Sequence, residues 1–157
     1  MSVIEKYDDN LYIISDGDNL FVRSFLITGD SKNILIDTGI TADGVFKEIQ
    51  KISSAPVEVY LTHGDVDHIG GLDNFRECYV NPKDEHMINI DIDRYPVNDG
   101  DIVEAGGYCF EVISVPGHTY GSIVFLDKNR KLMICGDMVQ QNSYIYVWTG
   151  EEYTALY

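Results

Sequence analysis

THGDVDHIGG (62–71) is the stretch on which the reading of this chain turns. It is entered directly from VEVYL (57–61), an apolar, β-branched run that predicts a buried strand. His63, Asp65, Asp67 and His68 crowd into six consecutive positions of the loop. Gly64, Gly70 and Gly71 let its backbone curl. A polar loop carried on a rigid strand is where ligands and catalysts are commonly placed. Imidazole and carboxylate together suit Zn, Mn and Fe, so one such loop can offer donors to two ions.

Three other junctions between a strand and a loop repeat the theme. Upstream, NILIDTG (33–39) carries Asp37 at the end of an apolar run. Downstream, YCFEVISV (108–115) leads into PGHTYGS with His118, and KLMIC (131–135) leads into Gly136-Asp137-Met138. Any one of these is an ordinary turn or decorated loop on its own. The ordered series of four argues for a metal centre drawing on His63, Asp65, Asp67, His68, His118 and Asp137. His86, the fourth histidine, falls in a predicted helix without a partner and reads as a surface or packing residue.

Around these loops the pattern is strands, helix, strand, then strands again. LYIIS (11–15), LFVRSFLIT (20–28), IVEA (102–105) and SIVFLD (122–127) add to the strands already named. One helix is expected from about Thr41 to Ile52, with Thr41 as N-cap and Val45, Ile49 and Ile52 as its apolar stripe. Shorter helices are expected at 72–75 and around 83–89. This order predicts an α+β fold in which helices pack on sheets, formed by the whole chain 1–157 as one domain.

Composition narrows the partners. A net charge of −15, with eleven scattered Lys and Arg, disfavours nucleic acid, whose binding relies on cations that neutralise phosphates. No run reaches the roughly 18 apolar residues of a membrane helix, and the start MSVIEKYDDN has no secretory signal. Cys78, Cys109 and Cys135 are odd in number and unpaired by spacing, which suits a cytoplasmic protein whose cysteines are small buried hydrophobes. The expected partner is a small-molecule substrate.

The four segments ILIDTG, THGDVDHIGG, VPGHTYGS and ICGD together resemble the metallo-β-lactamase superfamily, and PGHTYGS is similar to its glyoxalase II side. The resemblance spans nearly the whole chain. It implies an αββα sandwich and a cofactor of one or two divalent metal ions, zinc first, with iron or manganese as alternatives. It further implies that His63, Asp65 and His118 hold the first metal, that Asp67 and His68 hold the second, and that Asp137 bridges them. Asp37 would steady the loop from behind. The implied activity is hydrolysis of an ester, thioester, lactone or related small substrate by metal-activated water, with Asp67 as the catalytic carboxylate that orients the water or takes its proton.

Two departures from the family pattern alter those expectations. The usual loop is HxHxDH, and its middle histidine is Asp65 here; flavodiiron proteins of the same superfamily carry Glu at that place. A hard anionic donor moves preference toward iron or manganese and keeps open a di-iron oxidoreductase. The family's last ligand, a histidine well beyond the bridging aspartate, has no counterpart after Asp137. That implies a C-terminally short chain, a weaker second site, and low activity or a non-catalytic metal-binding module. It also implies an uncovered edge at YIYVW (144–148) that invites a homodimer. Tyr120, Tyr144, Tyr146 and Trp148 are candidates for a substrate pocket or for simple packing.

Overall fold

The computed structural model describes residues 2–16 and 22–139. Among these residues eleven strands form two sheets. The larger has seven strands in sequence order: β1 (Val3–Lys6), β2 (Leu11–Ser15), β3 (Arg23–Ile27), β4 (Asn33–Ile36), β5 (Val57–Tyr60), β6 (Glu77–Val80) and β7 (Asp93–Pro96). Its first four strands pair antiparallel and β4 to β7 pair parallel. The smaller sheet has the order β11-β10-β9-β8, all antiparallel, built from β8 (Ile102–Ala105), β9 (Tyr108–Ser114), β10 (Ile123–Asp127) and β11 (Leu132–Ile134).

Side-chain alternation decides what faces what. On β4, Ile34 and Ile36 join Leu11, Ile27 and Tyr60 against Phe110, Val112, Ile123 and Phe125 of the smaller sheet, forming the core between the sheets. Leu35, between them, points the other way and packs with Leu26, Val59 and Leu61 against Val45 and Ile49 of helix α1 (Gly44–Ile52). Buried on both faces, β4 is apolar at three of its four positions. The result is an α+β sandwich of two sheets, as the order of elements in the sequence predicts. Among the described residues, α1 is the one helix of more than a single turn, and it covers the seven-stranded sheet.

Several boundaries differ from expectation. Helix α1 starts at Gly44, and its N-cap is Asp43 rather than Thr41. Thr41 is engaged elsewhere: its backbone N–H and its hydroxyl both donate to the buried carboxylate of Asp16. The helix around 83–89 shrinks to a 3-10 turn, Glu85–Met87, while the motif loop contains one helical turn, α2 (Val66–Ile69). Strands β1, β6 and β7 were not anticipated. VIEK of β1 is exposed throughout and DRYP of β7 ends in proline, so neither has the apolar alternation that marks a strand, and ECYV of β6 alternates over only four residues. Cys78 is buried, but Cys109 and Cys135 are only half-buried, correcting the expectation for those two. The YIYVW stretch lies outside the described residues. No helix among the described residues is long and apolar enough to cross a membrane.

The topology places the chemistry. β4 and β5 are parallel, so Asp37 and the loop that begins at Thr62 emerge side by side at one end of the sheet. β9 and β11 both run antiparallel to β10, so the loops after them, bearing His118 and Asp137, also leave together. A backbone bond from Ile123 N–H to the Thr62 carbonyl joins the two sheets at that end.

Candidate metal centre

Thr62 is the pivot of the site. Its N–H donates to Asp37 Oδ1 at 2.8 Å and its hydroxyl donates to Asp37 Oδ2 at 2.7 Å. With its proton given to Asp37, the Thr62 oxygen is left to accept from His63 Nδ1, 2.9 Å away. His68 Nδ1 donates to the same Asp37 Oδ2 at 2.8 Å. One buried carboxylate thereby fixes the tautomer of two imidazoles, His68 directly and His63 through a hydroxyl. In the neutral form of both rings, Nε2 is the bare nitrogen. Both Nε2 atoms are buried and without a hydrogen-bond partner, which is costly unless something else meets them.

The other candidates converge on those two nitrogens. His118 stands edge-on to His63, with ring centroids 4.7 Å apart, and its Nε2 lies 2.9 Å from Asp65 Oδ2. Asp65 Oδ2 is also 3.7 Å from His63 Nε2. Asp137 Oδ1 comes within 3.3 Å of His68 Nε2, and its Oδ2 within 3.9 Å of His118 Nε2. Asp67 Oδ2 is 3.9 Å from His68 Nε2. Two overlapping sets of donor atoms have the spacing of a metal cage: His63, His118 and Asp137, and Asp67, His68 and Asp137. Asp137 belongs to both. Asp65 sits beside the first set, against His63 and His118.

Electrostatics at the cluster call for a cation. Burial lowers the His68 imidazolium pKa, yet the Asp37 and Asp137 carboxylates flanking it outweigh that and push it up to about 10. Burial, with His68 alongside, holds His63 below the ordinary histidine value. Hydrogen bonding to His118 holds Asp65 down, and the His68 imidazole beside it does the same for Asp137. The same donors fit one or two divalent ions, with imidazole and carboxylate matching Zn, Mn or Fe.

Two backbone features hold this geometry. Asp37 adopts φ 61°, a left-handed conformation rare outside glycine, and its carboxylate is thereby turned under the motif loop. Gly136 adopts φ 52°, and a Cβ there would lie 2.5 Å from Thr62 Oγ1. Only glycine lets the Asp137 turn rest directly on Thr62.

All six residues singled out from sequence meet at this one end of the sandwich, with Asp37 beneath them. Tyr120, two residues after His118, is 43% exposed; Tyr144, Tyr146 and Trp148 lie outside the described residues. Sequence reasoning missed Thr62 as the link between Asp37 and His63, and it missed Asp84, a buried carboxylate bonded to the loops on both sides of the cluster. A threonine at the end of a strand and one aspartate among many acidic residues carry no signal of their own.

Comparison with known proteins bears on the family and the fold. Residues 17–95 match the family model described as the metallo-beta-lactamase superfamily. A hydroxyacylglutathione hydrolase of Haemophilus influenzae is 30% identical over 139 residues, covering 74% of this chain and 66% of that protein. A hydroxyacylglutathione hydrolase of Photobacterium profundum is 33% identical over 109 residues, covering 66% and 41%. The chain thus spans less than two thirds of the length of these curated relatives. Among solved structures, a subclass B3 metallo-β-lactamase of Bradyrhizobium japonicum aligns with a TM-score of 0.65 at 19% identity, over 78% of this chain and 55% of that one. At that identity the likeness speaks for the fold.

Proposed function

This chain belongs to the metallo-β-lactamase superfamily, and from that premise we propose that it is a metal-dependent hydrolase of a small ester, thioester, lactone or related substrate. One observation carries the reading: two buried imidazole Nε2 atoms lacking hydrogen-bond partners face a set of aspartates, one of which is shared by two cages. His63, Asp65, His118 and Asp137 would hold one ion, and Asp67 and His68 with Asp137 a second. A divalent ion bound there supplies a water of near-neutral pKa and a Lewis acid for the carbonyl oxygen.

The chain's own residues do the rest. Asp37 and Thr62 keep both Nε2 lone pairs turned inward. Asp67 has the most exposed side chain of the three cluster aspartates, 34% against 22% for Asp65 and 29% for Asp137. It is the carboxylate best placed to orient a water or receive its proton as substrate enters. Val66, between Asp65 and Asp67, is 77% exposed, so an apolar side chain forms part of the rim beside the acidic residues of the loop. With a net charge of −15, that rim favours a small substrate of low negative charge over a nucleic acid. The relatives named as hydroxyacylglutathione hydrolases support thioesters as the first class to try.

The test is turnover of neutral thioesters, aryl esters and lactones by protein stripped with chelator and reloaded with Zn(II), Mn(II) or Fe(II). Turnover should follow the added metal, and Asp67→Asn should lower kcat by about 10²–10⁴-fold, the usual contribution of a positioned acid or base. Absence of turnover with every metal and substrate class contradicts the reading. Asp65 also supports a second reading, an iron-dependent oxidoreductase. Hydrolysis by zinc-loaded protein, with no electron donor present, separates the two.

A further inference from the structure

Asp84 is 1% exposed and lies just before the 3-10 turn that follows β6, yet its side chain does not cap that turn. It reaches sideways instead. Oδ2 accepts from the Gly64 N–H at 3.2 Å and from the Thr119 hydroxyl at 2.5 Å, and Oδ1 accepts from the Gly121 N–H at 2.8 Å. Gly64 is the residue between His63 and Asp65, and Thr119 directly follows His118. The loops that supply these three candidate ligands come from different sheets, and one carboxylate is bonded to both. Contact is close on each side: a Cβ at Gly121 would lie 2.5 Å from Asp84 Cγ, and one at Gly64 would lie 2.7 Å from Met87 Cβ.

Burying a carboxylate is unfavourable unless donors surround it. Here the donors come from the two ligand loops themselves, so the charge draws those loops together. Asp37 secures the His68 half of the cluster and reaches His63 only through Thr62, and it makes no contact with the His118 loop among the hydrogen bonds described. We propose that Asp84 is a positioning residue for the metal centre, fixing His118 against His63 and Asp65 without touching the metal. This rests on the reading of those residues as metal ligands.

The neutral isostere is the informative change. In Asp84→Asn one oxygen becomes an NH₂ group that must face an N–H or O–H donor, so at least one of the three hydrogen bonds to the loops is lost while the volume stays constant. The probe is Co(II), whose visible absorption reports ligand geometry, titrated into metal-free protein in competition with a chromophoric chelator. Folded Asp84→Asn should bind Co(II) about 10–100-fold more weakly than wild type, as is usual for a lost outer-shell partner, and with a changed absorption envelope. Thr119→Val removes one of the three donors and should shift affinity in the same direction by less; if Asp84→Asn does not fold, this variant decides. A purely structural role would lower the melting temperature of the metal-free protein and leave the affinity and spectrum of the folded protein unchanged, and that result overturns the proposal. Wild-type protein that binds no Co(II) overturns both this inference and the metal-site reading beneath it, whereas tight wild-type binding matched by the variants overturns this inference alone.

Discussion

Asp37 accepts a hydrogen bond from His68 Nδ1 at 2.8 Å while its own backbone is held at φ 61°. The strained backbone and the oriented imidazole are one arrangement, since the left-handed turn brings the carboxylate beneath both His68 and Thr62. Asp37→Asn should therefore weaken metal binding by about 10–100-fold, the range seen when an outer-shell partner of a ligating histidine is lost. Asp37→Ala should do the same and also destabilise the metal-free fold by about 1–3 kcal/mol, because the buried donors of Thr62 and His68 are left without an acceptor. Chelator competition measures the first effect and thermal unfolding the second. Unchanged affinity in both variants would show that Asp37 serves the fold alone.

Asp65 sets the hardness of the site. It lies 2.9 Å from His118 Nε2 and 3.7 Å from His63 Nε2, close enough to share an ion with either. Replacing it with histidine exchanges an anionic oxygen donor for a neutral nitrogen and should raise selectivity for zinc over manganese. Competitive titration of the two metals into parent and variant measures the ratio. Equal ratios would place Asp65 outside the ligand set.

Gly136 allows the Asp137 turn to lie on Thr62. An alanine there must accept φ 52° and clear the Thr62 hydroxyl at 2.5 Å, and cannot do both without moving Asp137. Gly136→Ala should cost about 1–3 kcal/mol of stability and weaken metal binding as well, through the donor common to both cages. A variant that melts and binds as wild type does would show that the turn has room to spare.

Much of this was legible in the sequence because the chemistry sits at strand ends. VEVYL followed by a His/Asp loop, and YCFEVISV followed by PGH, each join a period-two apolar pattern to a polar stop, which the backbone cannot realise in many ways. The helix was legible from Val45, Ile49 and Ile52, but its start was not. Thr41 has the character of an N-cap, and a distant partner, Asp16, takes its hydroxyl instead. Strands β1 and β7 were illegible because exposed strands of a large sheet need no apolar alternation. Asp84 was illegible for a different reason. Its significance lies wholly in which donors surround it, and Gly64, Thr119 and Gly121 are brought to it by tertiary structure.

The central claim is that His63, Asp65, Asp67, His68, His118 and Asp137 form a metal centre, and calorimetric titration of Zn(II), Mn(II) and Fe(II) into chelator-stripped wild-type protein and Asp/His variants tests it most directly. The account predicts that wild type binds a first ion with a Kd below about 1 µM, as three or four protein donors should provide. A second ion should follow more weakly, since among the described residues Asp67 and His68 must share Asp137 with the first cage. His118→Ala should weaken the first event by about 100-fold or more, since one of roughly four donors is gone. Wild-type protein that takes up none of the three metals more tightly than about micromolar, or a His118→Ala variant that binds as tightly as its parent, would contradict it.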